Sequence, residues 1–319
     1  MLLRKVVGIG SAFLLVILEL FPAQTWAAVS HVDDLEKLIG KEITSLARTP
    51  PVYVEADSVS TLSDEFVALN PQIDAKKHKV VYEHYTGWFD GDRYVVSSST
   101  GYSPGVFDAT KTTIAYNGKQ TFTKASDGQV ISVKNTRTSF PDNSLPLGTV
   151  LFAPYSFIFP QSAASNELNK LALLSSGSLN LEKFAENLKD LDVTIDQDGD
   201  ALILAKYVSG ASCKITVDLD SFYQIKSWVA YNAEGNKTLS LTVEEAGMVN
   251  LDGKPYKYPK RFTLERYING FGFGKRRVEI KLLRLMSENE RKEDKMEIDL
   301  SSASVIVDED SGVQIPVPR

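Results

Sequence analysis

The sequence is short of the residues that most often carry chemistry. Its one cysteine, Cys213, excludes an internal disulfide and any cysteine-rich metal cluster, and three histidines (His31, His78 and His84) leave little for a zinc site. It has no Gly-x-Ser-x-Gly elbow, no P-loop and no dinucleotide-binding glycine fingerprint, so nothing points to a hydrolase, an NTPase or a dehydrogenase. Positive charge is also in deficit: Lys and Arg total 35 against 41 Asp and Glu, a net charge of -6, which is a poor start for binding phosphate backbones. Nucleic acid is therefore not an expected partner, and the sequence calls for no cofactor or metal. What is present is apolar bulk. Hydrophobic residues make up 43% of 319 residues, enough for a sizeable core held by packing alone.

Met1 to Ala27 reads as an export signal. Arg4 and Lys5 precede an apolar stretch centred on Phe13-Leu14-Leu15-Val16-Ile17-Leu18, followed by Pro22 and a small-residue exit at Thr25-Trp26-Ala27. Glu19 interrupts the apolar run, which argues for a cleavable signal over a membrane anchor. The expected cut lies near Ala27, and residues 28–319 are expected to form one domain. No cysteine follows the stretch, so a lipid-modified cleavage box is missing. An exported chain with one lone thiol fits the periplasm of a bacterial envelope, with secretion as the alternative.

The mature chain reads mostly as strands. Asp33 to Arg48 is a helical candidate, with Leu35, Leu38, Ile39, Ile43 and Leu46 at spacings of three and four, closed by Pro50-Pro51. Alternation with β-branched and aromatic residues then marks 79–89, 92–98, 112–117, 120–124 and 129–134, separated by Asp90-Gly91, Asn117-Gly118 and Asp127-Gly128. An apolar loop and two helical stretches, 165–175 and 180–190, form an insertion around 148–191. Strands resume at 201–208, 212–219, 222–231, 238–245, 256–268, 275–286 and 296–307. The mixed-charge run Glu288 to Lys295 reads as a solvated hairpin connection, and Asp196-Gln197-Asp198-Gly199-Asp200 reads as a plain Asp-Gly turn, because an EF-hand needs its glycine at the sixth place.

Eleven or twelve strands joined by short turns make a sheet that curls or closes unless covered. The expected architecture is α+β: a large curled antiparallel sheet, a half-open β-barrel, with a helical lid made by 33–48 and the pair at 165–190 over its concave face. Such a trough is expected to hold an apolar cavity. Two stacked sheets with a solid core are the alternative.

Several side chains stand out within that frame. Phe152, Tyr155, Phe157, Ile158 and Phe159 form an apolar loop suited either to acyl chains and a membrane surface or to core packing under the lid. Tyr82 and Trp88 share one face of a strand with Val80, His84 and Thr86, and line the cavity if that face is concave. Arg93 can latch the lid through its five donors, or stand as an exposed strand charge. Cys213 alternates with Ile215 and Val217 and so reads as a small buried hydrophobe.

The order of these elements resembles the periplasmic lipoprotein-carrier superfamily, the LolA/LolB-like fold. The resemblance rests on a signal without a lipid-attachment cysteine, the amphipathic helix at 33–48, and the hairpin Tyr82 to Phe89 and Arg93 to Ser97 around Asp90-Gly91-Asp92. It continues through Tyr116-Asn117-Gly118-Lys119, a central helical insertion, and the closing pair Tyr258-Pro259-Lys260-Arg261-Phe262 and Arg277 to Leu285. The resemblance implies a non-enzymatic carrier whose apolar concavity accepts the acyl chain of a lipid or lipoprotein. It also implies a lid bonded by an arginine of the first hairpin, where Arg93 stands. The alternative is a structural or sensory module that engages another envelope protein through its sheet edges or through Lys254, Lys257, Lys260 and Arg261.

Overall fold

The computed structural model describes residues 51–71, 74, 79–90, 93–117, 119–124, 128–135, 188–219, 224–268, 271–292 and 298–317. The expected signal at 1–27, the helices at 33–48 and 165–175 and the aromatic loop at 152–159 lie outside the described residues.

The described residues form a single sheet. Its fifteen strands are β1 (Val52–Leu62), β2 (Val80–Asp90), β3 (Arg93–Gly101), β4 (Thr110–Tyr116), β5 (Thr121–Lys124), β6 (Val130–Lys134), β7 (Leu188–Ile195), β8 (Asp200–Tyr207), β9 (Ser212–Asp218), β10 (Gln224–Tyr231), β11 (Lys237–Leu251), β12 (Lys254–Ile268), β13 (Phe271–Leu285), β14 (Val305–Asp308) and β15 (Gln314–Pro316). Their order across the sheet is β15-β14-β6-β5-β4-β3-β2-β1-β13-β12-β11-β10-β9-β8-β7, antiparallel throughout except for the parallel pair β14–β6. The sheet is large, open and curled, as a half-barrel requires. Two short helices accompany it, α1 (Asp64–Leu69) and α2 (Glu288–Lys292).

Three expectations change against these elements. The helix expected to end at residue 190 gives way to β7 from Leu188 onward, the strand expected over 296–307 is a 3-10 turn at Leu300–Ser302 followed by the short β14, and the charged run after Ser287 opens as α2. The turns follow the chain's chemistry. Asn117 Oδ1 accepts from the backbone N–H of Lys119 and Gln120, and Asp196 Oδ1 accepts from those of Asp198 and Asp200, with Gly199 supplying the positive φ of 83°.

Strand register divides the sheet into two chemically distinct faces. One carries Val54, Ala56, Tyr85, Phe89, Val96, Ile114, Leu191, Ile203, Ile215, Trp228, Leu241, Phe262, Val278 and Ile280, all buried and joined in one apolar cluster that runs from β4 to β7. The other carries ion pairs, including Lys281 with Glu279 at 2.7 Å and Arg277 with Glu244 at 2.7 Å, and a 2.8 Å hydrogen bond between His84 Nδ1 and Asp57 Oδ1. A sheet this wide curls toward the side that hides apolar surface, so the apolar face is the inner wall and the ion-paired face the outer one. Bulges preserve the division. In β13 an irregularity opposite Glu55 and Ala56 sets Leu283 and Ile280 on the same inner face, where strict alternation would have separated them.

Candidate functional site

The inner wall changes character along the strands. In β1 its positions run Val52, Val54 and Ala56, then Ser58 and Ser60; in β2, Phe89, Gly87 and Tyr85, then Glu83. In β3 the change falls between Val96 and Ser98, in β4 between Ile114 and Thr112, and in β13 between Val278 and Arg276. Five neighbouring strands thus share one slanted border between an apolar and a polar zone. Burial falls in the same direction: Val52 and Val54 are buried, Ser60 is partly exposed and Thr110 is exposed. The polar zone is therefore the one nearer solvent.

At that border stands a compact set of polar side chains. Arg276 Nη2 lies 3.2 Å from Glu83 Oε2, and Arg276 Nε donates to Ser60 Oγ at 2.7 Å. Ser58 Oγ donates to Glu83 Oε2 at 3.0 Å. Arg276 and Glu83 come from β13 and β2, the two strands that flank β1, so the pair reaches across the serines of β1. Tyr85 neighbours Glu83 on the same inner face, 0% exposed, and its hydroxyl has no hydrogen-bond partner at bonding geometry. Burial, countered by the nearby Arg276 and reinforced by Glu83, holds that hydroxyl well above the ordinary tyrosine range, so it stays a protonated donor.

The sequence-selected residues fall elsewhere. Tyr82, Trp88 and Arg93 all lie on the outer face: Trp88 pairs with Val95 and Arg93 with Asp90, opposite in sense to the inward Glu83, Tyr85 and Phe89. Trp88 packs with Val95, Ala115, Met286 and Ile298 in a separate small cluster, and its ring lies 5.0 Å from that of Tyr53. Tyr82 is six residues from Trp88, roughly 20 Å along the strand, so the two do not meet at one site. Phe152, Tyr155, Phe157, Ile158 and Phe159 lie outside the described residues. Three of the four basic residues expected to offer a partner surface are ion-paired: Lys257 with Asp218, Lys260 with Glu245 at 2.6 Å, and Arg261 with Glu245 at 3.0 Å.

Ser58, Ser60, Glu83, Tyr85 and Arg276 were not singled out in the sequence. The available signal was Glu83 itself, a charge on the strand face that otherwise reads Tyr85, Gly87 and Phe89. Cys213 lies on the inner face, as its alternation indicates. Burial pushes its thiol up to about 11, and its Sγ lies 3.2 Å from the Tyr207 hydroxyl.

No family model and no curated protein matches the chain. Among solved structures it is similar to a DUF1329 family protein from Desulfovibrio piger, with 12% identity, a TM-score of 0.44, and 83% of this chain and 99% of that one covered. It is also similar to a LolA superfamily protein from Nitrosomonas europaea, with 10% identity, a TM-score of 0.38 and coverage of 80% and 95%. A domain named for outer-membrane lipoprotein sorting, from Vibrio parahaemolyticus, has 11% identity, a TM-score of 0.42 and coverage of 81% and 96%.

Proposed function

We propose that this protein is a non-enzymatic binder of a lipid or a lipoprotein acyl chain, which it holds along the inner wall of the curled sheet. The observation that carries this reading is the border described above: one wall, apolar on one side and polar on the side nearer solvent, is complementary to an amphiphile lying along the strands. The driving force is burial of the chain, at about 0.8 kcal/mol per methylene, so one long chain gives useful yet reversible affinity.

The ends of the strands beyond the polar border support the same reading. Leu69 at the end of α1, Tyr102 after β3, Val106 before β4, Val208 after β8 and Ile268 at the end of β12 are all exposed, and strand direction puts them at that one end of the sheet. Exposed apolar side chains around a polar entrance suit contact with a membrane surface from which a lipid is taken.

The test is to purify the mature protein from membranes, identify bound lipid by mass spectrometry of an organic extract, and titrate the delipidated protein with a fluorescent fatty acid. Bound lipid and saturable uptake near one equivalent are expected. Absence of extracted lipid together with no uptake would overturn the reading.

A further inference from the structure

The polar border selects the head group of the bound amphiphile, and this inference rests on the reading that the inner wall takes an acyl chain. Glu83 and Arg276 are opposite charges 3.2 Å apart on an otherwise apolar wall, and Ser58 and Ser60 bond the same two groups. The charge inside the border is thus already balanced. A further net charge placed against it would be partly desolvated and would meet no unbalanced opposite charge in the Glu83–Arg276 pair, whereas a neutral or zwitterionic head leaves the balance intact. The Tyr85 hydroxyl adds the second observation: it is fully buried beside Glu83 and Ser58, yet makes no hydrogen bond at full bonding geometry. Arg266, further out on the inner face of β12, is exposed, so water and salt screen its charge.

We infer that Glu83, Arg276 and Tyr85 form a head-group site for an acyl amphiphile of no net charge, with the Tyr85 hydroxyl donating to an oxygen of that head. Tyr85 is the first inner position of β2 on the apolar side of the border and its hydroxyl faces the polar set, so the oxygen it meets is one near the junction of head and chain.

The experiment compares four probes of equal chain length on the delipidated protein: a monoacylglycerol, a lysophosphatidylethanolamine, a lysophosphatidylglycerol and the free fatty acid. The neutral and zwitterionic probes are expected to bind at least about tenfold tighter than the two anionic ones. Glu83→Gln leaves Arg276 without its counter-charge, and the anionic probes should gain until the preference is lost or reversed. Tyr85→Phe removes the donor without altering charge, and should weaken all probes that carry an oxygen at the junction while leaving the preference between heads unchanged. Equal binding of all four probes by the wild type would overturn the head-group site and leave acyl binding standing. Binding of none of them would overturn acyl binding as well. A neutral-head preference that survives Glu83→Gln in a variant with wild-type melting behaviour would also remove the site.

Discussion

The guanidinium of Arg276 and the carboxylate of Glu83 face each other at 3.2 Å across β1, on the face of the sheet that carries the main apolar cluster of the described residues. Arg276 retains a fifth of its side-chain exposure while Glu83 retains less than a tenth, so the arginine is the member that water reaches. Removing it strands a buried carboxylate. Arg276→Ala is therefore expected to destabilise the fold by about 3 kcal/mol, the low end for a broken buried pair because this pair is partly wet. The double variant Glu83→Gln/Arg276→Met should recover much of that loss, because it removes both charges. Urea unfolding midpoints of the two variants check this, and equal losses in both would show that the pair is not coupled.

Cys213 offers a chemical gauge of the inner wall. It is buried beside Tyr207, and its thiol is pushed up to about 11 by burial, so little thiolate exists at pH 8. A thiol reagent such as DTNB is expected to leave the native protein unlabelled over minutes and to label it fully in denaturant. A lipid bound along the wall should slow the residual native reaction further. Rapid stoichiometric labelling of the native, ligand-free protein would show that this stretch of the wall is open to solvent.

Much of the sheet was legible because its outer strands obey simple rules, with Asn-Gly and Asp-Gly turns between clean alternations. Of the strands that were not legible, β1 and β7 failed for physical reasons that bear on function. In β1 the inner positions change from Val52, Val54 and Ala56 to Ser58 and Ser60, so the apolar alternation fades at the very place where the wall becomes polar. In β7 a bulge at Lys189 puts Leu188 and Leu191 on the same inner face at a spacing of three, which imitates a helix. The site was hidden for a related reason. Register across β1, β2 and β13 brings Glu83 to Arg276, and no spacing within one strand reports a pairing between residues so far apart in the chain. Tyr82 and Trp88 were correctly grouped on one face, but the sequence of β2 alone does not say which face curls inward.

The rim beyond the polar border should govern contact with lipid surfaces. Leu69 and Ile268 are both at least half exposed at the same end of the sheet, and each can insert a large apolar side chain. Full burial of such a side chain contributes about 1.5–3 kcal/mol, so Leu69→Asp/Ile268→Asp should lower partition onto zwitterionic vesicles by at least about tenfold. Neither residue belongs to the core cluster, so melting should be unchanged. Vesicle sedimentation reads the effect, and unaltered binding by the double variant would remove the rim from the membrane contact.

The acid limb of stability should depend on one outer-face clasp. Glu290 accepts two bonds of 2.7 Å from Arg284 and a third of 2.8 Å from the Ser287 backbone, while its own backbone N–H donates to Ser287 Oγ at 3.2 Å, a reciprocal cap on α2. Arg284 in turn covers the ring of Tyr53 at 4.5 Å, and Tyr53 packs on Trp88. The hydrogen bonds from Arg284, with those from Ser287, hold the Glu290 carboxyl far below the usual carboxylate range. A carboxylate whose folded-state affinity for protons is lowered contributes stability above its unfolded value, near pH 4.3, and loses that contribution as pH falls toward the folded value. The wild type should therefore lose more stability between pH 5 and pH 2 than Glu290→Gln, which has no carboxylate to protonate there. Glu244, Glu265 and Glu279 are lowered in the same sense, so the variant should keep part of the acid limb. Trp88 fluorescence should report the loss of the clasp before global unfolding, because Arg284 reaches it through Tyr53. Identical acid limbs for wild type and Glu290→Gln, with Trp88 emission unchanged until the global transition, would show that the clasp contributes nothing to stability.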